Sequence, residues 1–478
     1  MSDAVAGRLL ARKGEILERL KALLRLPSVS ADPAYAAGMA ATREFLMARL
    51  RQAGLADVRL LDGGGQPAVT AAWTGAPGRP TLIIYSHYDV QPPDPLDLWT
   101  SPPFEPDIRD GRIYARGASD VKGSTLIAIE TVAAFLESGG CPVNVRFFLE
   151  GEEEIGSPSL RSLIERHRDA LAADAVLSAD GGRASTRLAT VNVGSRGLAR
   201  LDVTLRTAEK DLHSGRYGGA VRNAIHELAR LLATFHDEEG RIAVPGFLDD
   251  LAPIGARERA DAAALGLDEA AFYAAIGAHP WGDPAYSVEE RLTLLPSIEV
   301  NGMWGGYTGA GGKTVLPCEA HAKITMRLGP GQDPSRVQRV LCDHLLARAP
   351  EGVTLHFEAM GGGTPAFTLA EGHPLLVAAE RVIARTTGRP PVRARIGGTL
   401  PVAAIFREML GLDTLMFGFA MPDEDIHAPN EFFRLSSLEE GLGAWPLLLT
   451  ELGTMEPAAF RAGAGGAQAE RASTKTLL

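Results

Sequence analysis

Six short segments of the chain carry side chains suited to holding divalent cations. They are Ser86-His87-Tyr88-Asp89, Gly117-Ala118-Ser119-Asp120, Glu152-Glu153-Glu154, Ser178-Ala179-Asp180, Asp211-Leu212-His213 and His427-Ala428-Pro429-Asn430-Glu431. A set of imidazoles and carboxylates without thiolates suits reactive zinc, manganese or cobalt rather than a structural cysteine–zinc site. The chemistry it allows is metal-assisted hydrolysis. Taken singly, these residues have plainer readings: Glu152–Glu154 as a solvated acidic turn, Asp120 as the cap of the helix that follows it. Their joint placement argues for a centre.

That placement depends on the elements around them. Thr81 to Tyr85, Val143 to Leu149 and Ala175 to Leu177 read as buried strands, and Ser124 to Glu137 as an apolar helix ended by Gly139 and Gly140. Strands alternating with helices, the strands continuously apolar, predict a sheet covered by helices on both faces. His87, Glu153 with Glu154, and Asp180 each fall just past a strand's carboxyl end, where open α/β sheets bind ligands. His427 follows another strand-like run, Thr414 to Ala420, so both ends of the chain are expected to build one catalytic layer. An N-terminal helix is predicted to end before Pro27.

A chain of 478 residues exceeds one ordinary core, and two domains are expected. Its 48 basic and 59 acidic residues give a net charge of −11, which offers no electrostatic reason to bind nucleic acid or an anionic membrane. Cys141, Cys318 and Cys342 are odd in number and far apart, which excludes a disulfide framework and suggests a reducing cytoplasm. Arg12, Lys13, Glu15, Glu18 and Arg19 interrupt the leucines of the first segment, so it has no secretory apolar core, and no apolar run reaches the roughly 18 residues of a membrane span.

Past Gly194 the pattern changes. Leu198 to Leu205, Ala322 to Leu328 and Val353 to Ala359 alternate as half-exposed strands, while Ala220 to Phe235 and about 249–276 read as helices. The expected division is a discontinuous α/β catalytic domain, 1–195 and 362–460, with an inserted α+β domain at 196–361 and a flexible tail at 461–478.

The motifs resemble the co-catalytic zinc peptidase family of carnosinases, cytosolic non-specific dipeptidases, aminoacylases and desuccinylases. The likeness rests on Ser86 to Pro92, Ala115 to Gly123, Glu150 to Ser157 and His427 to Glu431, in that order. It implies a mixed-sheet catalytic domain carrying two divalent ions, zinc with manganese or cobalt as alternatives. His87 and Asp180 would hold one ion, Glu154 and His427 the other, and Asp120 both. Asp89 would fix the His87 tautomer, and Glu153 would be the general base. Relatives often have Gly before the first histidine and a second acid after the bridging aspartate; Ser86 and Val121 stand here.

The inserted domain resembles the lid and dimerisation domain of the dipeptidase branch. His213 would stabilise the oxyanion across a homodimer interface, and Thr314, Arg327 and Thr399 would grip the substrate's free carboxylate. The expected reaction is hydrolysis of a dipeptide or similar short peptide by a water bridging two metals. The alternative is removal of an acyl, succinyl or carbamoyl group from an amino acid at the same centre. The Gly-rich run Gly305 to Thr314 imitates a phosphate loop, but Tyr307 stands where that motif needs glycine, and a strand-like segment follows in place of a helix.

Overall fold

The computed structural model describes residues 2–461. The chain divides into two compact units: one runs to Val193, resumes over Leu369–Ala394 and continues from Pro401, and the other comprises Gly194–Thr368 and Arg395–Leu400. The second unit thus returns later than position 361 and retains 395–400, which the sequence reading assigns to the first. Backbone pairing accounts for both differences. Phe367 and Thr368 pair with Ser195 and Gly194, and the Arg196 N–H donates to Ile396 O at 3.1 Å. Apart from Arg461, which ends the helix Pro457–Arg461, the expected tail lies outside the described residues.

The first unit is built on a six-stranded sheet in the order Ala56–Leu61, Ala68–Trp73, Asn144–Glu150, Thr81–His87, Ala175–Ser178, Thr414–Met416. The first three strands pair antiparallel and the last four pair parallel. Parallel strands covered on both faces are buried along their length, hence the unbroken apolar runs. The helix Gly123–Glu137 is buried around almost its whole circumference. Gly441 lets the helix Leu435–Leu452 come close to it, since a Cβ there would lie 2.6 Å from Ile127 Cδ1. Elsewhere on the sheet Phe406 packs edge to face on Tyr85 and Phe148, in one cluster with Leu160, Ile164 and Ile405.

Register sets the functional edge. His87 pairs with Glu150, and Tyr85 with Ser178, so the loops carrying Asp89, Glu153, Glu154 and Asp180 leave the sheet side by side. Two expected elements differ. The N-terminal helix is broken at Arg12 into Ser2–Ala11 and Lys13–Leu24. The run 414–420 is strand only to Met416; beyond it Gly418 lies so close to Gly181 that no Cβ would fit.

The second unit is an antiparallel sheet in the order Ser297–Gly305, Glu319–Leu328, Gly197–Arg206, Thr354–Glu358, with Gly363–Thr364 also on Gly197–Arg206. Burial alternates along the two central strands, as one covered face requires. Leu201, Val203, Ile324 and Met326 pack on Leu228 and Leu231 of helix Ala224–Leu232 and on Leu341 and Leu345 of helix Pro334–Arg348. The expected helix at 249–276 is two helices, Ala256–Leu265 and Glu269–Ile276, parted by Gly266 at φ +67. A separate two-residue ribbon pairs Leu212–His213 with Val315–Leu316.

Candidate metal centre

One ligand atom each from His87, Asp120 and Glu154 lie within 4.8 Å of one another. Asp120 stands between two imidazoles, with Oδ1 3.2 Å from His87 Nε2 and Oδ2 2.9 Å from His427 Nε2. His427 Nε2 is also 3.1 Å from Glu154 Oε2, and His87 Nε2 is 4.0 Å from Asp180 Oδ2. The five groups therefore form two sets that share Asp120. Among the described residues no Lys or Arg pairs with Asp120, Glu153, Glu154 or Asp180. Carboxylates gathered around two imidazoles without a neutralising side chain fit divalent cations, with one carboxylate able to serve two ions.

Each ligand is aimed by its neighbours. His87 Nδ1 lies 3.0 Å from the Asp89 carbonyl oxygen, which only accepts, so Nδ1 carries a proton; Nε2, which donates to Asp120 in the metal-free centre, is the nitrogen whose lone pair a cation would take. The tautomer is thus set chiefly by the backbone of Asp89; its carboxylate is farther, at 3.4 Å. That carboxylate accepts from the N–H groups of Glu153 (3.3 Å) and Glu154 (3.1 Å) and from Ser30 Oγ (2.7 Å). Asp89 thereby ties the His87 loop to the Glu153–Glu154 loop. Gln91 Nε2 donates to Glu154 Oε2 at 2.8 Å.

Asp120 is held by a residue to which sequence reasoning gave no role. Glu431 is fully buried; its Oε1 accepts from Ser119 N (2.9 Å) and Asp120 N (3.0 Å), and its Oε2 from Gly117 N and Arg116 Nη1 (both 2.8 Å). One carboxylate so joins the loop carrying Asp120 to the segment carrying His427. Its place in the His427–Glu431 motif, as an acid not needed as a ligand, was the available signal. His427 itself has φ +65, with Asp425 at +50 and Asn430 at +65, a region uncommon for residues other than glycine. Asn430 anchors this loop, accepting from Thr100 N and donating to Leu98 O, both at 2.8 Å.

With only protein charges acting, the centre holds protons. Burial pushes the Glu153 carboxyl up to about 9; His87 opposes this, and Asp180, Asp120 and Glu154 add to it. Burial likewise raises Asp180 to about 6. Hydrogen bonds to Asp120 and Glu154 raise His427 to about 10. Burial disfavours ionised Asp120, but hydrogen bonds from His427 and His87 hold its carboxyl below the usual range. A bound cation reverses this balance and expels protons.

The remaining candidates belong to the second unit and fall into two pairs. The ribbon sets His213 opposite Val315, and the Ser214 N–H donates to Thr314 O at 3.1 Å, which brings His213 and Thr314 together. Gly215 N–H donates to His213 Nδ1 at 3.0 Å, so the neutral ring carries its proton on Nε2. Arg327 Nη1 donates to Thr399 Oγ1 at 2.8 Å. The Gly305 to Thr314 loop leads into the strand Val315–Leu316, so it lacks the helix a phosphate loop needs.

Imidazoles and carboxylates sharing one aspartate at the carboxyl ends of parallel strands define a metal-dependent hydrolase. The profile of Peptidase family M20/M25/M40 matches residues 83–451, and the chain belongs to that family. It is a metallopeptidase by that membership. It is 28% identical to the Cys-Gly metallodipeptidase dug1 of Schizosaccharomyces pombe over 468 residues, 93% of this chain and 97% of that one. It is 29% identical to the Beta-Ala-His dipeptidase of Homo sapiens over 446 residues, 90% of this chain and 85% of that one. Among solved structures, the M20 family metallo-carboxypeptidase Sso-CP2 from Sulfolobus solfataricus matches with a TM-score of 0.77 at 30% identity, covering 92% of this chain and 100% of that one.

Proposed function

We propose that the protein is a dipeptidase holding two divalent ions, zinc in preference to manganese or cobalt. His87 and Asp180 would hold one ion, Glu154 and His427 the other, and Asp120 both. The observation that carries this reading is the position of Asp120, one oxygen toward His87 and the other toward His427. When bound, such ions polarise the scissile carbonyl and acidify water.

The protein's own groups supply the rest. Glu153 lies among the ligands without being needed as one; it takes the proton of the attacking water and passes it to the leaving amine. Its carboxyl, held high by burial, would fall toward the range of a working base with cations bound at the neighbouring ligands. His213 donates its Nε2–H to the developing oxyanion. Arg327, with Thr399 and Thr314, holds the substrate's terminal carboxylate. This is supported by a guanidinium that has a hydroxyl on Nη1 and no acidic partner among the described residues. Dipeptides and carboxypeptidase substrates both end in a free carboxylate, as do N-acyl amino acids, and the dipeptidases among the relatives favour the first.

We further propose a homodimer. Ser297–Gly305 is an edge strand of the second unit's sheet, and Val300, Met303 and Trp304 on it are exposed; such an edge is a template for pairing with a second chain. A cytoplasmic location fits three free, buried cysteines, and no helix among the described residues is long and apolar enough to cross a membrane. The test is a hydrolysis screen of dipeptides, their C-terminal amides and N-acyl amino acids with the wild-type and Arg327→Ala proteins. Free dipeptides should be cleaved fastest, and Arg327→Ala should cost far more on them than on the amides. Equal losses on both, or faster deacylation, would contradict the proposal.

A further inference from the structure

The polar face of the second unit's sheet holds its cations in two different situations. Arg206 Nε is 2.9 Å from Glu319 and Lys323 Nζ is 3.1 Å from Asp202, each pair directly opposite in cross-strand register. Farther along the same two strands, Arg200 and Arg327 have no carboxylate partner among the described residues. Arg200 stands opposite Thr325, two positions from Arg327. Such diagonal neighbours are about 7–8 Å apart, within reach of long side chains. The two charges act on each other: burial first, and then Arg200, depress the Arg327 guanidinium.

A third guanidinium adds to this surplus. Arg196 donates only to backbone carbonyls, to Gly397 O at 2.7 Å and to Arg291 O and Leu295 O at 3.3 and 3.2 Å. Thr399 is likewise a neutral acceptor for Arg327. Neutral acceptors satisfy N–H groups but leave the positive charge uncompensated. Glu299, opposite Thr325 on the other neighbouring strand, forms no ion pair with any of the three but its charge acts on Arg196, and Glu358, opposite Asp202 and so diagonal to Arg200, pairs with His356 at 3.4 Å rather than with Arg200. Arg200 and Arg327, neighbouring cations with no ion partner among the described residues, make a place for an anion carrying more than one charge.

We propose that Arg200 and Arg327 together form a subsite for two carboxylates, so that the preferred dipeptides end in aspartate or glutamate. This rests on the reading in which Arg327 takes the α-carboxylate; Arg200 takes the carboxylate of the C-terminal side chain. Only one or two methylenes separate that group from its Cα, which suits adjacent guanidiniums on one sheet face. Arg196, through its hydrogen bond to Gly397 O, is tied to the segment that carries Thr399.

The test compares kcat/KM for Ala-Glu against Ala-Gln, and for Ala-Asp against Ala-Asn, with the metal-loaded full-length protein. Wild type should favour the acidic member about tenfold, the worth of one charge-assisted pair. Arg200→Met should abolish that ratio mainly through KM. Arg200→Lys, which keeps the charge but not the fork, should retain part of it, a result that mere loss of fold would not give. A wild-type ratio of one or less, or a ratio that survives Arg200→Met, would overturn the inference. Arg327→Met separates the two ideas: it should depress Ala-Glu and Ala-Gln alike, and if it spares both, the α-carboxylate reading fails whatever Arg200 does.

Discussion

Replacing Glu431 by glutamine tests how the two ends of the chain are joined at the centre. The side chain keeps its shape, but one oxygen becomes an NH2 group. Glu431 accepts two hydrogen bonds on each oxygen, Arg116 Nη1 with Gly117 N and Ser119 N with Asp120 N. Whichever way the amide turns, two donors then face a donor. Arg116 is also buried and loses its ion partner. Breaking a buried pair from one side costs about 3–5 kcal/mol, and the misdirected N–H groups add to that. The exposed pair of Lys13 and Glu439 is the control, since Glu439→Gln should cost less than about 1 kcal/mol. Glu431→Gln should also displace the Asp120 backbone and weaken metal binding by about 10–100-fold, as other ligand-orienting partners do. Urea unfolding of the chelated proteins measures the first effect, and competition with a metal indicator the second. A Glu431→Gln protein within about 1 kcal/mol of wild type that binds metal normally would refute the reasoning.

Glu153→Gln should keep its metals and lose about 10²–10⁴-fold in turnover, whereas Glu154→Gln should lose metal as well; near-normal turnover in the first would show the adjacent acids to be misassigned. Mixing inactive His213→Ala and Glu153→Gln proteins under subunit exchange should restore activity, because one site of the heterodimer combines both intact residues; no recovery despite heterodimers seen by pull-down would exclude action across the interface. The pH dependence has a definite sign. With metal removed, folded Glu153 keeps its proton to about 9 and folded His427 to about 10, while the unfolded chain releases these near 4.3 and 6.5. The folded state binds more protons between these limits, so chelated protein should lose stability as pH rises from about 5 to 9. Metal loading should release protons, seen by calorimetry in buffers of different ionisation enthalpy, and metal affinity should rise with pH; a flat profile with no release would contradict the proton inventory.

The parts of this architecture legible in the sequence are those where burial makes a continuous pattern. Strands covered on both faces read as apolar runs, so Thr81–His87, Asn144–Glu150 and Ala175–Ser178 differ from the sequence-based limits by a few residues at most, and the chemistry-bearing residues follow them directly. Ala56–Leu61 is mostly exposed and bulged between Ala56 and Arg59, which erases its period. Ser297–Gly305 loses its alternation at the irregularity between Val300 and Gly302. The unit boundary depends on two-residue pairings such as Phe367–Thr368 with Gly194 and Ser195, too short for any pattern. Glu431 could be recognised as an acid within a motif, but not as the acceptor for N–H groups some three hundred positions earlier. The surplus charge at Arg200 and Arg327 emerges only from cross-strand register.

The central claim is that Asp120 serves two ions at once, and activity titrated against added zinc tests it most directly. Chelator-stripped protein should be inactive, with metal shown absent by elemental analysis, and should reach full turnover at two equivalents per chain. Asp120→Asn should weaken both equivalents, while Asp180→Asn and Glu154→Gln each weaken one. Full activity at zero equivalents, or saturation at one with Asp120→Asn affecting no more than that one, would contradict the account.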